Sequence, residues 1–231
     1  MLKKLWNKRW MFRSILYSLY FNFHYLPIKQ AIKLPIILYK PKLLKCKGKI
    51  QILGNVKTGM IQLGKYTVSL YPNSGIVFEN HGGSIIFNGK CNIGNNSAIS
   101  IGEKGELIIG DSFSATTSLK LVAYHSIEFK KNVLCGWDCL FMDTDFHQIT
   151  FTDSNSLPKA YDKISIGENC WFALKCTVMK GTVLANNNII AANSLLNKDY
   201  LDTSYCLLAG QPATIKKRNI YRNPLNDKII Y

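Results

Sequence analysis

"IGENCWFALKCTVMKGTVLANNNIIAANSLL", residues 166–196, carries a large apolar side chain at every sixth position: Ile166, Phe172, Val178, Leu184, Ile190 and Leu196. Four residues after each of the first five stands a small or polar one: Cys170, Cys176, Thr182, Asn188 and Ser194. The residue directly after the large one is small at Gly167, Ala173, Ala185 and Ala191, with Met179 and Asn197 as exceptions. An α-helix repeats its apolar stripe at about 3.6 residues and a simple strand at about 2, so neither yields this period. A parallel β-helix with triangular coils does. Each hexapeptide forms one flat side with its large residue pointing inward. Three sides close a coil of about 18 residues, and coils stack at the strand spacing of about 4.8 Å.

The same unit recurs upstream with less regularity. Phe87, Ile93 and Ile99 are six apart, as are Phe129, Cys135 and Phe141, with Cys91, Ser97, Val133 and Cys139 at the small position. "IGNNSA" (93–98) and "IGENCW" (166–171) are two copies of one unit, whereas Ile101-Gly102 and Ile109-Gly110 lie eight apart, so some corners hold insertions. The coils are expected to begin near Ile50.

The period fails over the 22 residues 142–163, and "FMDTDFHQI" (141–149) opens the gap. A loop extruded from a regular solenoid is where function tends to reside. In an extended segment Asp143, Asp145 and His147 project to one side. A carboxylate there could accept a hydrogen bond from the imidazole and fix its tautomer, leaving the other nitrogen as a base. Asp145 is the first expectation for that orienting role and Asp143 the second, although either could cap a turn. The other histidines, His24, His81 and His125, are expected to be structural, with His125 the nearest competitor because it stands about one coil before His147.

Period and loop together resemble the hexapeptide-repeat acyltransferases, and the resemblance covers roughly residues 48–217. It implies an all-β fold, a left-handed parallel β-helix, against the usual right-handed crossover rule. It further implies that His147 removes a proton from an acceptor that attacks the thioester of acetyl-CoA, with no metal. The tail strengthens the likeness: "IIAANSLLNKDY" (189–200) followed by "LLAGQPATIKK" (207–217) is similar to the family's closing pattern. On that basis Ala173, Ala191 and Ala192 are expected to border the pantetheine arm, Lys198, Lys216, Lys217 and Arg218 to neutralise phosphates, and Trp171, Gly210 and Pro212 to belong to the same cofactor-binding set. Two departures stand out: Ala173 replaces the family's frequent Gly, which narrows the channel, and Thr214 replaces its usual Lys, which leaves the phosphate ligand open.

Charge is divided sharply along the chain. Of 29 Lys and Arg, 15 lie after residue 78, so residues 1–78 hold 14 and no acid, while the 14 acids all follow from Glu79 onward. A basic, aromatic segment over residues 1–47, broken by Pro27, Pro35 and Pro41, is expected to be partly helical. It could lie on an anionic bilayer or cap the coils with its lysines solvated. No zinc-finger, homeodomain or RNP pattern accompanies the charge, so nucleic acid is not an expected partner. Neither a spanning helix nor a secretory leader is expected, which makes a cytoplasmic location the default, with peripheral contact at the inner membrane face. Seven cysteines, an odd number spread through the chain, fit packed thiols better than disulfides.

The expected organisation is therefore a basic segment (1–47), a β-helix (48–217) with its loop at 142–163, and a tail (218–231). The resemblance is greatest to bacterial O-acetyltransferases of surface-polysaccharide synthesis (capsule, exopolysaccharide or O-antigen). It implies a homotrimer acting on a sugar hydroxyl, with the acceptor free, nucleotide-linked or lipid-linked. Three alternatives stay open: an N-acetyltransferase acting on an amino sugar, a non-catalytic scaffold or membrane module, and a zinc carbonic anhydrase of the same fold. The last needs three histidine ligands, and the chain has no His-x4-His pair.

Overall fold

Every residue of the sixfold series from Ile166 to Leu196 points inward and is buried, as are the five small residues four positions on. Between each pair the chain turns through a left-handed backbone conformation: Asn169, Lys175, Gly181, Asn187 and Asn193, again six apart, have φ from 58° to 75°. Gly and Asn adopt that conformation at least cost. At such a corner the ladder is interrupted and a carbonyl turns inward, where an unpaired acceptor is costly. The small residues meet this need. Thr182 Oγ1 donates to Met179 O (2.7 Å), Asn188 Nδ2 to Ala185 O (3.0 Å) and Ser194 Oγ to Ala191 O (2.7 Å). Cys170 and Cys176 aim their thiols at Ala185 O and Ala191 O.

In the computed structural model, residues 9–154 and 156–227 are described. The start of the expected N-terminal segment (1–8), Asn155 in the loop and the end of the tail (228–231) lie outside the described residues. The coils build a left-handed triangular prism from three parallel sheets. Sheet 1 runs Ile36–Leu38, Ile61–Lys65, Cys91–Gly94, Phe113–Thr117, Leu134–Trp137, Trp171–Phe172, Ile189–Ile190 and Cys206–Gly210, and ends with the antiparallel Ala213–Arg218. Sheet 2 stacks Lys42–Cys46, Ile76–Asn80, Ser97–Ile101, Lys120–Ala123, Leu140–Met142, Thr177–Met179 and Leu195–Leu196. Sheet 3 stacks Lys49–Ile52, Ser84–Phe87, Glu106–Ile109, Ser126–Phe129, Ile164–Ile166, Val183–Leu184 and Asp199–Tyr200. Inside, Phe113, Phe129, Phe141 and Phe172 form a continuous column of tilted and edge-to-face rings with centroids 4.8–5.1 Å apart. All seven cysteines are free thiols, and all but Cys46 are buried.

The coils begin at Ile36, earlier than the expected start near residue 48. Proline-bounded corners and short strands hide the first coil from a search for a period of six. Ahead of it stand α1 (Arg9–Tyr25) and α2 (Ile28–Ala31). At the other end, a hairpin turning through the cis Gln211–Pro212 bond closes sheet 1.

The three edges of the prism differ. Where sheet 3 passes to sheet 1, Asn132, Asn169 and Asn187 form a side-chain amide ladder at 2.9–3.0 Å. The tail folds back over that edge, with Arg222 Nη2 donating to Asn132 O. The edge between sheets 2 and 3 carries the extruded loop, and the edge between sheets 1 and 2 carries a column of small residues.

Candidate active site

The loop leaves sheet 2 after Met142 and rejoins sheet 3 at Ile164. Its stem is pinned by backbone bonds from Asp145 N to Ala160 O (2.7 Å) and Asp162 N to Asp143 O (3.0 Å), with a bridge between Thr144 and Tyr161. His147 sits on the outer part of the loop, exposed, and bonds to none of the described residues.

The expected carboxylate–imidazole contact is not made. Phe146 has φ 60°, which breaks the extended alternation on which the shared side of Asp143, Asp145 and His147 depended. Asp143 is fully buried and accepts from the backbone N–H groups of Tyr124 and His125, both at 2.8 Å. Burial pushes its carboxyl up, against the downward pull of the N–H groups of Tyr124, His125 and Ser126. It fastens the loop stem to the coil below. Asp145 meets Lys180 Nζ at 2.5 Å instead of the imidazole, and Lys180 also reaches Lys159 O. Lys180 was invisible to the sequence search because it lies 35 residues from Asp145; its only signal is that it follows Met179, an exception to the small-residue rule.

Of the other histidines, His24 Nε2 meets Cys46 O at 2.8 Å and His81 lies 3.6 Å from Glu79. His125 shares the loop edge, its ring 4.7 Å from that of Tyr161.

On the neighbouring edge, the register Cys135–Phe172–Ile190–Leu208 stacks the residues that follow, Gly136, Ala173, Ala191 and Ala209, into one column. The column is tight: a Cβ on Gly136 would stand 2.9 Å from the carbonyl carbon of Ala173. Ala173 N and Ala191 N are taken by Ile190 O and Leu208 O. Beyond them, the N–H groups of Leu174 and Ala192 have no partner among the described residues. Gly210 and Gln211 top this edge through Gly210 N to Ser194 Oγ (3.3 Å) and Gln211 Nε2 to Asn193 O (2.9 Å), so Ala173, Ala191, Ala192, Gly210 and Pro212 are brought together. Trp171 lies on the outer face of sheet 1, half-buried, paired in register with Ile189. Lys216 and Lys217 are exposed on the returning strand, with Lys217 opposite Leu207. Lys198 stands just before Asp199–Tyr200, the last strand of sheet 3, over the Tyr200 ring at 5.6 Å, and lines a cleft with Leu208, Ala213, Thr214 and Ile215 of the closing hairpin. No hydrogen bond or ring contact among the described residues links the loop to the small-residue edge. No group of three His, Cys, Asp or Glu side chains fit to hold a metal occurs among the described residues.

No family model matches the chain. It is 30% identical over 188 residues to a 24.8 kDa protein of the cps region of Klebsiella pneumoniae, covering 80% of this chain and 82% of that one. The chain belongs to one family with that cps-region protein. It is also 26% identical over 127 residues to a protein of Staphylococcus aureus provisionally named an acetyltransferase, spanning 46% of this chain and 63% of the relative. Among solved structures the hexapeptide-repeat chain is similar to the polySia-specific acetyltransferase NeuO (20% identity, TM-score 0.40, 81% of this chain and 78% of that one). It is also similar to the polysialic acid O-acetyltransferase OatWY (16% identity, TM-score 0.39, 83% and 90%).

Proposed function

We propose that the protein transfers an acetyl group from acetyl-CoA to a sugar hydroxyl during the synthesis of a surface polysaccharide. The observation that carries this reading is the placement of His147. Of the four histidines it alone is left unbonded and unstacked by the described residues, and it stands on the loop that interrupts the coils. The relative in the cps region of K. pneumoniae supports the polysaccharide context, and the provisionally named acetyltransferase supports the group transferred.

In this mechanism the His147 imidazole takes the proton of the acceptor hydroxyl as its oxygen attacks the thioester carbonyl. The resulting imidazolium then returns that proton to the departing thiolate. General-base assistance of this kind contributes about 10²–10⁴-fold. The Asp145–Lys180 pair holds the loop stem, so Asp145 is proposed to position His147 through the backbone rather than by touching the ring. The donor fits the edge of Ala173, Ala191 and Ala192, where small side chains and the unpartnered N–H groups of Leu174 and Ala192 suit an extended amide-bearing arm. Lys216, Lys217 and Arg218 lie within the same closing hairpin and suit its phosphates.

Loop and small-residue edge stand on different edges of one prism, separated by the width of sheet 2. This supports a cyclic trimer in which the loop of one copy meets the small-residue edge of the next. A saccharide acceptor linked to lipid at an anionic membrane face fits the unbalanced positive charge of the first coils. Mass spectrometry of surface polysaccharide from cells with and without the gene tests the reading. It predicts a difference of one acetyl group per repeating unit, and identical masses would overturn it.

A further inference from the structure

Helix α1 buries a polar row among its inward residues. Ser14, Ser18 and Asn22, four residues apart, are all buried beside Phe21, whose ring meets that of Phe78. Ser14 Oγ accepts from Lys40 N (3.0 Å), Ser18 Oγ from Leu38 N (2.9 Å) and Asn22 Oδ1 from Ile36 N (3.1 Å), while Asn22 Nδ2 donates to Ile36 O (2.7 Å). Four residues of helix rise about 6 Å, nearly the about 6.6 Å spanned by two residues of strand. The helix thus satisfies the unpaired edge of the first strand, a row of groups that otherwise invites aggregation. Three further contacts extend the cap over sheets 2 and 3: His24 to Cys46 O, Tyr25 to Lys47 O and Gln30 to Ile52 O.

With its polar side spent inward, α1 turns Phe12, Ile15, Leu16, Leu19, Tyr20 and Phe23 outward, Phe12 at 65% exposure. Their spacing makes one stripe along the helix. Ile28 (72%) and Ile32 (64%) continue it over α2. An apolar cleft of about 250 Å³, lined by Met11, Ile15, Leu19, Leu34 and Ile37, opens beside the stripe. Around this end Arg13, Lys29, Lys33, Lys42 and Lys45 are exposed, and no acid occurs before Glu79. None of the helices described is long and apolar enough to cross a membrane.

We infer that the outward face of α1 and α2 is a docking surface for an anionic phospholipid bilayer, with the helices lying in the interface and the prism standing away from it. An apolar stripe rimmed by cations and free of acids matches such a surface in both polarity and charge. The loop also exposes apolar residues, among them Phe146, Phe151 and Leu157, but Asp145, Asp153 and Asp162 share that segment. Moreover, its strand Leu140–Met142 stands four ladder steps from the first strand of sheet 2, roughly 19 Å along the prism. Docking by α1 therefore holds His147 well clear of the bilayer. Where the acetyl transfer proposed above is the reaction, that height favours a saccharide of several units over a single sugar at the lipid. The docking itself does not rest on that reading, since its test involves no turnover.

The experiment is flotation of the full-length protein with vesicles of phosphatidylcholine alone or mixed with phosphatidylglycerol. The expected result is recovery with the anionic vesicles at least tenfold above that with neutral ones. The triple variant Phe12→Glu, Leu16→Glu, Phe23→Glu, checked for unchanged circular dichroism, is expected to lose at least tenfold of that recovery. In a second arm, an environment-sensitive fluorophore on Leu16→Cys shifts to the blue on anionic vesicles, while the same label on Phe151→Cys does not. Failure of the wild type to float, or undiminished recovery of the variant, would overturn the docking surface. So would a variant that changes only the oligomeric state, which would make the stripe a contact between copies. A shift at position 151 would overturn the orientation.

Discussion

Two adjacent edges of the same prism solve opposite problems. Between sheets 1 and 2 the chain keeps its period, and Gly136, Ala173, Ala191 and Ala209 strip the edge down to backbone. Between sheets 2 and 3 it abandons the period, spends a long loop and holds it with two buried or half-buried carboxylates, Asp143 and Asp145. Under the acetyl transfer proposed above, the first edge receives the donor, the second supplies the base, and neither is a site by itself. On that proposal the difference is one of regularity: the repeat builds the binding surface, and one controlled failure of the repeat delivers the chemistry.

Substitutions on the two edges should separate in what they disturb. On the loop edge, His147→Ala is expected to lower acetyl transfer by about 10²–10⁴-fold in a purified assay. Its melting temperature should not move, because the exposed imidazole bonds to nothing described. On the small-residue edge, Ala191→Trp fills the proposed path of the donor. Transfer should fall on the order of 10²-fold, with acetyl-CoA affinity by titration calorimetry falling alongside, whereas His147→Ala leaves that affinity intact. Asp143→Ala tests the anchor. It strands the N–H groups of Tyr124 and His125, and with about 1–3 kcal/mol for each unsatisfied donor the loss should appear as a lower denaturation midpoint. Asp143→Asn, which keeps an acceptor, should lose less. The smallest effect belongs to Lys180→Met, which removes a partly exposed ion pair contributing about 0.5–1 kcal/mol. It should loosen the loop stem, measured as faster amide exchange at Asp145, without altering acetyl-CoA affinity.

Much of this was readable in residues 166–196 because five corners there occur without insertion, so each physical requirement recurs six residues later. The extruded loop was equally legible, as the place where the period stops. The first coil was not. Ile36–Leu38 precedes any regular spacing, and on the edge away from Ile61–Lys65 its partner is the side-chain row Ser14, Ser18 and Asn22 rather than another strand. That row has a visible spacing of four, but beside so many aromatic and basic residues the segment reads as a surface helix of ordinary polarity. The roles of Asp143 and Asp145 could not be read from Asp-x-Asp-x-His at all. The turn at Phe146 reverses the alternation, and both partners, the amides at 124–125 and Lys180, come from other coils.

The central claim is that loop and small-residue edge from different copies complete one another. Co-expression of His147→Ala and Ala191→Trp chains with different tags, followed by purification on both tags, isolates mixed oligomers in which no chain is intact. In a closed ring of three, one interface in each mixed trimer pairs an intact loop with an intact edge, so the account predicts about one third of wild-type acetyl transfer. Mixed oligomers as inactive as their two parents would contradict it.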